Sequence, residues 1–129
     1  MQNRTWQPNK PKLSPKPHVS DEVRQAVDTQ VVTVVASLKK RYCTKRKHLN
    51  FNWCEDLFTR WHRESLYFVV VMRTPHGRPL TFETHAARTE HAGEGKFNLA
   101  VPMRRGWNTF KRAASVEDCL KEIEASICI

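Results

Sequence analysis

Near residue 49 the spacing of apolar residues changes period, and this change constrains the fold more than any other feature of the chain. Before it, Val23, Val27, Val31, Val34, Val35, Leu38 and Tyr42 recur at the 3.6-residue spacing of one helix face. After it, Leu49, Phe51 and Trp53 alternate with Asn50, Asn52 and Cys54, the period-two pattern of a strand. The chain therefore reads as a helix followed by a sheet. At 129 residues it has the length of one domain and can bury one core.

Ser20, Asp21 and Glu22 give the helix a good start: a hydroxyl to accept from free N–H groups and two acids at the positive end of the dipole. The pattern predicts a helix over about 20–43. Six of the seven residues from Thr29 to Val35 are β-branched, which lowers helix propensity by a few tenths of a kcal/mol each. The length of the stripe and the clean cap outweigh that penalty.

Beyond the first short strand at Leu49–Cys54, Glu55-Asp56 reads as a polar break, and Leu57–Glu64 fits a strand or a helical turn equally well. Ser65–Thr74 (SLYFVVVMRT) is the most apolar run and too short for an ordinary buried helix, so it predicts a central strand covered on both faces. Pro75-His76-Gly77-Arg78-Pro79 is a turn by composition. Leu80, Phe82, Thr84 and Ala86 alternate along the next strand, and Glu90–Gly95 reads as a loop. Phe97, Leu99, Val101 and Met103 then form one side of a core strand, and Gly106 marks a bend before an edge strand at Trp107–Phe110. Ser115 opens a last helix, with Asp118 in the place of a capping-box acid and Val116, Cys119, Leu120, Ile123 and Ile127 as its stripe. The fold class is α+β: a long N-terminal helix, an antiparallel sheet of three to five strands and a C-terminal helix, in two layers with both helices on one face.

Residues 1–18 differ from the rest. They carry Pro8, Pro11, Pro15 and Pro17, four bases and no acid, which predicts a disordered, extended basic arm ahead of a single domain at 19–129. The four cysteines show no C-x-x-C spacing, and neither a leader peptide nor an apolar run of membrane-spanning length is evident, so the expected setting is soluble and cytoplasmic.

Charge points to a class of partner. Lys and Arg number 22 against 13 Asp and Glu, a net charge of +9, which favours a polyanion. The excess lies in the arm and body, because the last helix sets only Lys121 against Glu117, Asp118, Glu122 and Glu124. Three groups of bases stand out. Lys39, Lys40, Arg41, Lys45, Arg46 and Lys47 crowd the end of the first helix, more than capping electrostatics require. Arg60, Trp61, His62 and Arg63 form the second group, and Arg104, Arg105, Trp107, Phe110, Lys111 and Arg112 the third. Aromatics flanked by guanidinium groups on an open sheet face would stack bases and contact phosphates. Taken singly, each of Trp61, Trp107 and Phe110 is better explained as core, whereas the accompanying bases favour the surface for the set.

The resulting expectation is a small nucleic-acid-binding protein that prefers RNA or single strands and calls for no cofactor or metal, with enzymatic activity left open. Its oligomeric state is left open. No helix has the polar, basic face of a duplex-reading element. The order of elements parallels that of double-stranded-RNA-binding domains, but their lysine-rich start of the last helix is replaced here by Ser115-Val116-Glu117-Asp118. Two alternatives remain. Glu94-Gly95-Lys96 has the E-x-K form used by metal-dependent nucleases, with Glu83 as a second carboxylate. The exposed aromatics could instead bind protein, making the chain a non-catalytic assembly subunit. His85 and His91 with Cys43 or Cys54 lack the paired spacing of structural zinc sites, and read as one exposed strand histidine and one loop histidine.

Overall fold

Ser20 starts the first element as its residue type predicts: its Oγ accepts from the Val23 N–H at 3.2 Å, with Asp21 and Glu22 in the first turn and Lys39, Lys40 and Arg41 in the last. The computed structural model describes residues 18–43, 51–75, 80–127 and 129. In chain order they form α1 (Asp21–Tyr42), β1 (Trp53–His62), β2 (Ser65–Arg73), β3 (Thr81–Gly93), β4 (Lys96–Pro102), β5 (Trp107–Ser115) and α2 (Val116–Ser126). The expected basic arm lies outside the described residues except for His18, whose Nδ1 sits 3.5 Å from Glu64. Val19 is already fully buried, and its N–H donates to the same carboxylate.

The protein is a two-layer α+β fold. All five strands pair antiparallel in sequence order, β1-β2-β3-β4-β5. α1 packs against β1 and α2 against β4 and β5, and the helices touch each other, so both lie on one face. Two bonds join their C-terminal ends: Tyr42 Oη donates to the Ile127 carbonyl at 2.8 Å, and an Arg41 guanidinium nitrogen donates to that of Glu124 at 2.7 Å. Val27, Val31, Val34 and Leu38 of α1 are buried against Leu57, Leu66, Phe68, Val70, Phe97, Leu99 and Ile123. Burying one such aliphatic is worth about 1.5–3 kcal/mol. That is several times the helix penalty of a β-branched residue, which is why the valine-rich segment is helical.

Register determines the two faces of the sheet. Leu66, Phe68 and Val70 belong to the core under the helices, so Tyr67, Val69 and Val71 point to the other side. β2 is an interior strand, as expected, but it is not covered on both faces: among the described residues only the helix side is covered, and on the other side Val69 is buried while Tyr67 and Val71 are half-buried.

Several local expectations need correction. Glu55-Asp56 does not break the chain. It forms a bulge inside a continuous β1, where the register shifts between Cys54 and Asp56. The first strand therefore starts at Trp53 and absorbs the ambiguous segment through His62, leaving Phe51 and Asn52 outside it; residues 49 and 50 are not described. Glu90–Gly95 is not a loop either, since β3 runs to Gly93 and only Glu94 and Gly95 turn, both at positive φ. His91 causes this: it is buried opposite Phe97, with the Gly95 N–H donating to its Nε2 at 3.2 Å. β5 runs past Phe110 to Ser115, the residue that also caps α2 by accepting from the Asp118 N–H at 3.1 Å. Met103 leaves the core row and is 58% exposed, because β4 stops at Pro102, which has no N–H to continue the ladder.

Candidate nucleic-acid interface

Among the described residues no element covers the face of the sheet opposite the helices. The register Arg60↔Tyr67↔Arg88↔Ala100↔Thr109 lays one row of side chains across all five strands of that face. Phe58, Val69 and His85 form the adjacent row. Trp107, opposite Pro102 on β5, leans into both rows. Its ring centroid is 5.9 Å from that of Tyr67 and 6.0 Å from that of His85, and the Arg88 guanidinium lies 4.4 Å from it. β3 and β5 are two strand spacings apart, about 9.5 Å. The indole spans that gap over the small, buried Ala100 and the Pro102 opposite it, the residues that β4 presents there. Tyr67 and His85 are themselves in contact at 4.9 Å, and His62 extends the group at 6.4 Å from Tyr67.

Arg60, His62, Tyr67, His85 and Trp107 line a cleft of about 330 Å³. That is large enough for a flat ring system. At its edge Arg60 makes a two-pronged ion pair with Glu83, with N···O distances of 3.0 and 3.1 Å. The hydrogen bonds and charge of Glu83 push the Arg60 guanidinium pKa upward, and Arg60 in turn holds the Glu83 carboxyl below its ordinary value. Arg104 and Arg105 are exposed on the β4–β5 turn immediately before Trp107, where Gly106 takes a φ of 84° with open space around it. The face thus combines stacked rings with guanidinium groups at several edges, the elements needed to hold a base and its phosphates.

The structure separates the other sequence-derived residues into groups. Trp61 lies on the opposite face from Trp107: its Nε1 donates to Asp28 of α1 at 2.9 Å, and the Arg24 guanidinium covers its ring at 5.0 Å. Arg63 sits in the β1–β2 turn with a φ of 56°, and its carbonyl accepts from Arg24. Lys39 pairs with Asp56 at 3.0 Å and Arg41 bonds to α2, so the end of α1 belongs to the helix side. Lys40 is exposed there, and Lys45, Arg46 and Lys47 lie outside the described residues. Lys111 is half-buried and Arg112 exposed on β5. Glu94 and Lys96 flank the β3–β4 turn, whereas Glu83 stands near the other end of β3, on the order of 30 Å away at the rise of a strand. The E-x-K pair, Glu94 and Lys96, and its second carboxylate are thus not brought together. Among the described residues no three His, Cys, Asp or Glu side chains are grouped to hold a metal ion, and no helix is long and apolar enough to cross a membrane.

Tyr67, His85 and Arg88 were not legible as site residues. Tyr67 is the one ring with a polar tip in an aliphatic run, which was a usable signal. His85 and Arg88 gave none, since residues three apart on a regular strand face opposite ways. A bulge at Ala86, where the register shifts from Phe68↔Ala87 to Val69↔His85, brings both onto the open face.

Fold and face together define the class: a two-layer α+β protein whose antiparallel sheet has one aromatic, arginine-edged face that no described element covers. The chain belongs to the DUF3024 family, a domain of unknown function, whose model matches residues 12–128. No curated protein and no solved structure matches it.

Proposed function

We propose that the protein binds nucleic acid, RNA or single strands in preference to duplex, with bases on the open sheet face and phosphates on the arginines around it. The observation that carries this reading is the cleft lined by Arg60, His62, Tyr67, His85 and Trp107 on the face away from the helices. Stacking of a base on such a ring contributes about 1–3 kcal/mol, and each phosphate contact adds salt dependence. The net charge of +9 supports a polyanionic partner, and free thiols at Cys43, Cys54 and Cys119 fit a reducing, cytoplasmic setting. A base in the cleft would contact Tyr67, His85 and Trp107, while the strand on either side would pass Arg104, Arg105 and Arg60. A duplex fits this face poorly, since its bases are already stacked and present only their edges.

Titrating a labelled single-stranded oligonucleotide into the protein across a salt series tests the reading. Binding that weakens steeply with salt and is weakened further by Trp107→Ala is the expected result. Absence of binding at low salt would overturn it. A second reading, a protein partner on the same face, is favoured by the exposure of Met103, at 58%, in the turn beside Arg104 and Arg105. Capture of one partner that survives nuclease treatment and is lost with Trp107→Ala would select it.

A further inference from the structure

Cys43 and Cys54 come from different elements and meet. Cys43 caps the C-terminus of α1 and Cys54 is the second residue of β1. Their Sγ atoms are 2.7 Å apart. Carbon-sized atoms that are not bonded pack best at ~3.5–4.0 Å, and a disulfide bond is ~2.05 Å, so the two sulfurs sit between contact and bond. The approach is built from both sides. The Cys43 N–H donates to the Lys39 carbonyl at 2.9 Å, which holds the cap in place. The bulge after Cys54 lets its Sγ also reach the Asp56 carbonyl, at 3.5 Å. Lys39 then pairs with Asp56 at 3.0 Å, tying the same two chain ends together through ionic contact. Cys119 does not share this environment: it lies on the buried, sheet-facing side of α2, with its Sγ 3.8 Å from the Phe97 carbonyl.

We propose that Cys43 and Cys54 form a reversible redox pair, closing a disulfide between the end of α1 and the start of β1 when a small-molecule disulfide such as oxidised glutathione is in excess. Cys43 is half-buried and Cys54 buried, so Cys43 meets the oxidant first. Burial, followed by the adjacent Cys43 thiol, pushes the Cys54 thiol up to about 12, which keeps it protonated until its partner has reacted. The Cys43 thiolate attacks one sulfur of oxidised glutathione and expels a glutathione thiolate. Cys54 gives its proton to that thiolate, and its sulfur attacks Cys43 Sγ to expel the second glutathione. Two protein thiols are oxidised and one glutathione disulfide is reduced to two thiols. The bond links α1 to β1 on the helix side, away from the open sheet face, so this inference stands apart from the proposed function.

Equilibrating the full chain with mixtures of oxidised and reduced glutathione tests it. The expected product has lost two of its four thiols and the mass of two hydrogens, maps to a Cys43–Cys54 peptide link, and reverts with dithiothreitol. It should also unfold at a higher denaturant concentration than the reduced protein, since the link restricts the unfolded chain. Cys43→Ser, at the less buried position, should retain its fold, form no intramolecular link and show no such shift. A stable glutathione adduct on Cys43, a link involving Cys119 or Cys128 instead, or pairing that occurs only in denaturant would each overturn the proposal.

Discussion

Trp107 and Trp61 have the same side chain and opposite surroundings. Trp61 spends its N–H on Asp28 and its ring on Arg24, both from α1, so it fixes the helix to the sheet. The rings and guanidinium around Trp107, those of Tyr67, His85 and Arg88, come from strands on the open face. Trp107→Ala should therefore leave the unfolding midpoint little changed while weakening oligonucleotide binding by about 1–3 kcal/mol, roughly five- to 150-fold. Trp61→Phe should do the reverse, with a loss of about 0.5–1.5 kcal/mol in chemical denaturation and unaltered binding. Measuring both quantities on both variants checks the assignment of faces, because a shared surface would make the two behave alike. A second prediction at this scale concerns Asp56. Its carboxyl is held below the ordinary value, first by the hydrogen bond to Lys39 and then by the Leu57 N–H. A depressed pKa in the folded state means that the group stabilises the fold above its unfolded value, and that this contribution fades as pH falls through the folded one. Both partners are about half exposed, so water screens the pair and its worth is within about 0–1 kcal/mol. Lys39→Ala should lower stability by that amount at neutral pH and converge on the parent in acid, a difference that denaturation at a series of pH values will resolve.

Elements with a strong local cause were legible from the chain alone, and those placed by their neighbours were not. Ser20 and Ser115 announced both helices because a hydroxyl before acids and an apolar stripe has one good use, and both cap as expected. The apolar run of β2 needed no further information. The limits of β1, β3 and β5 depended instead on partners distant in sequence. Glu55-Asp56 reads as a break until Arg73 is seen 3.1 Å from Glu55, which lets a charged pair sit in a strand bulge. His91 reads as polar loop until Phe97 covers it. The site suffered more than the fold, because the Ala86 bulge that unites His85 with Arg88 leaves no trace in the alternation. Ser115 carries the element-scale prediction. It ends β5 and caps α2 with no intervening residue, so its hydroxyl is what turns strand into helix. Ser115→Ala should cost about 0.5–2 kcal/mol, within the range of lost helix caps, and should loosen α2 first. Amide exchange should accelerate in α2 and at Ile127 while β2 stays protected; uniform acceleration across the sheet would mean that α2 and the sheet open as one unit.

Across the whole molecule, charge and architecture point in one direction. α2 puts Glu117, Asp118, Glu122 and Glu124 on the helix side, whereas Arg104, Arg105 and Arg88 edge the open face. α1 adds Lys39, Lys40 and Arg41 to that same helix layer, so its acids and bases partly offset each other, whereas Arg104 and Arg105 stand exposed at the open face. The Arg60–Glu83 pair is the exception, since it sets a neutral unit at the edge of the cleft. That pair yields the prediction on which the phosphate-binding reading depends most directly. Glu83→Gln removes the acid and releases the Arg60 guanidinium toward a bound strand. If Arg60 then takes one more phosphate, the plot of log affinity against log salt should steepen by about 0.7 for a single strand, and binding at low salt should tighten. The paired variant Arg104→Ala/Arg105→Ala should shift the slope the opposite way by about 1.4, for two lost contacts. Trp107→Ala should weaken binding without changing the slope, because stacking releases no counterions. A salt series on the three variants therefore separates ring from charge, and a Glu83→Gln variant that bound more weakly would show that Glu83 itself, and not the arginine it holds, touches the ligand.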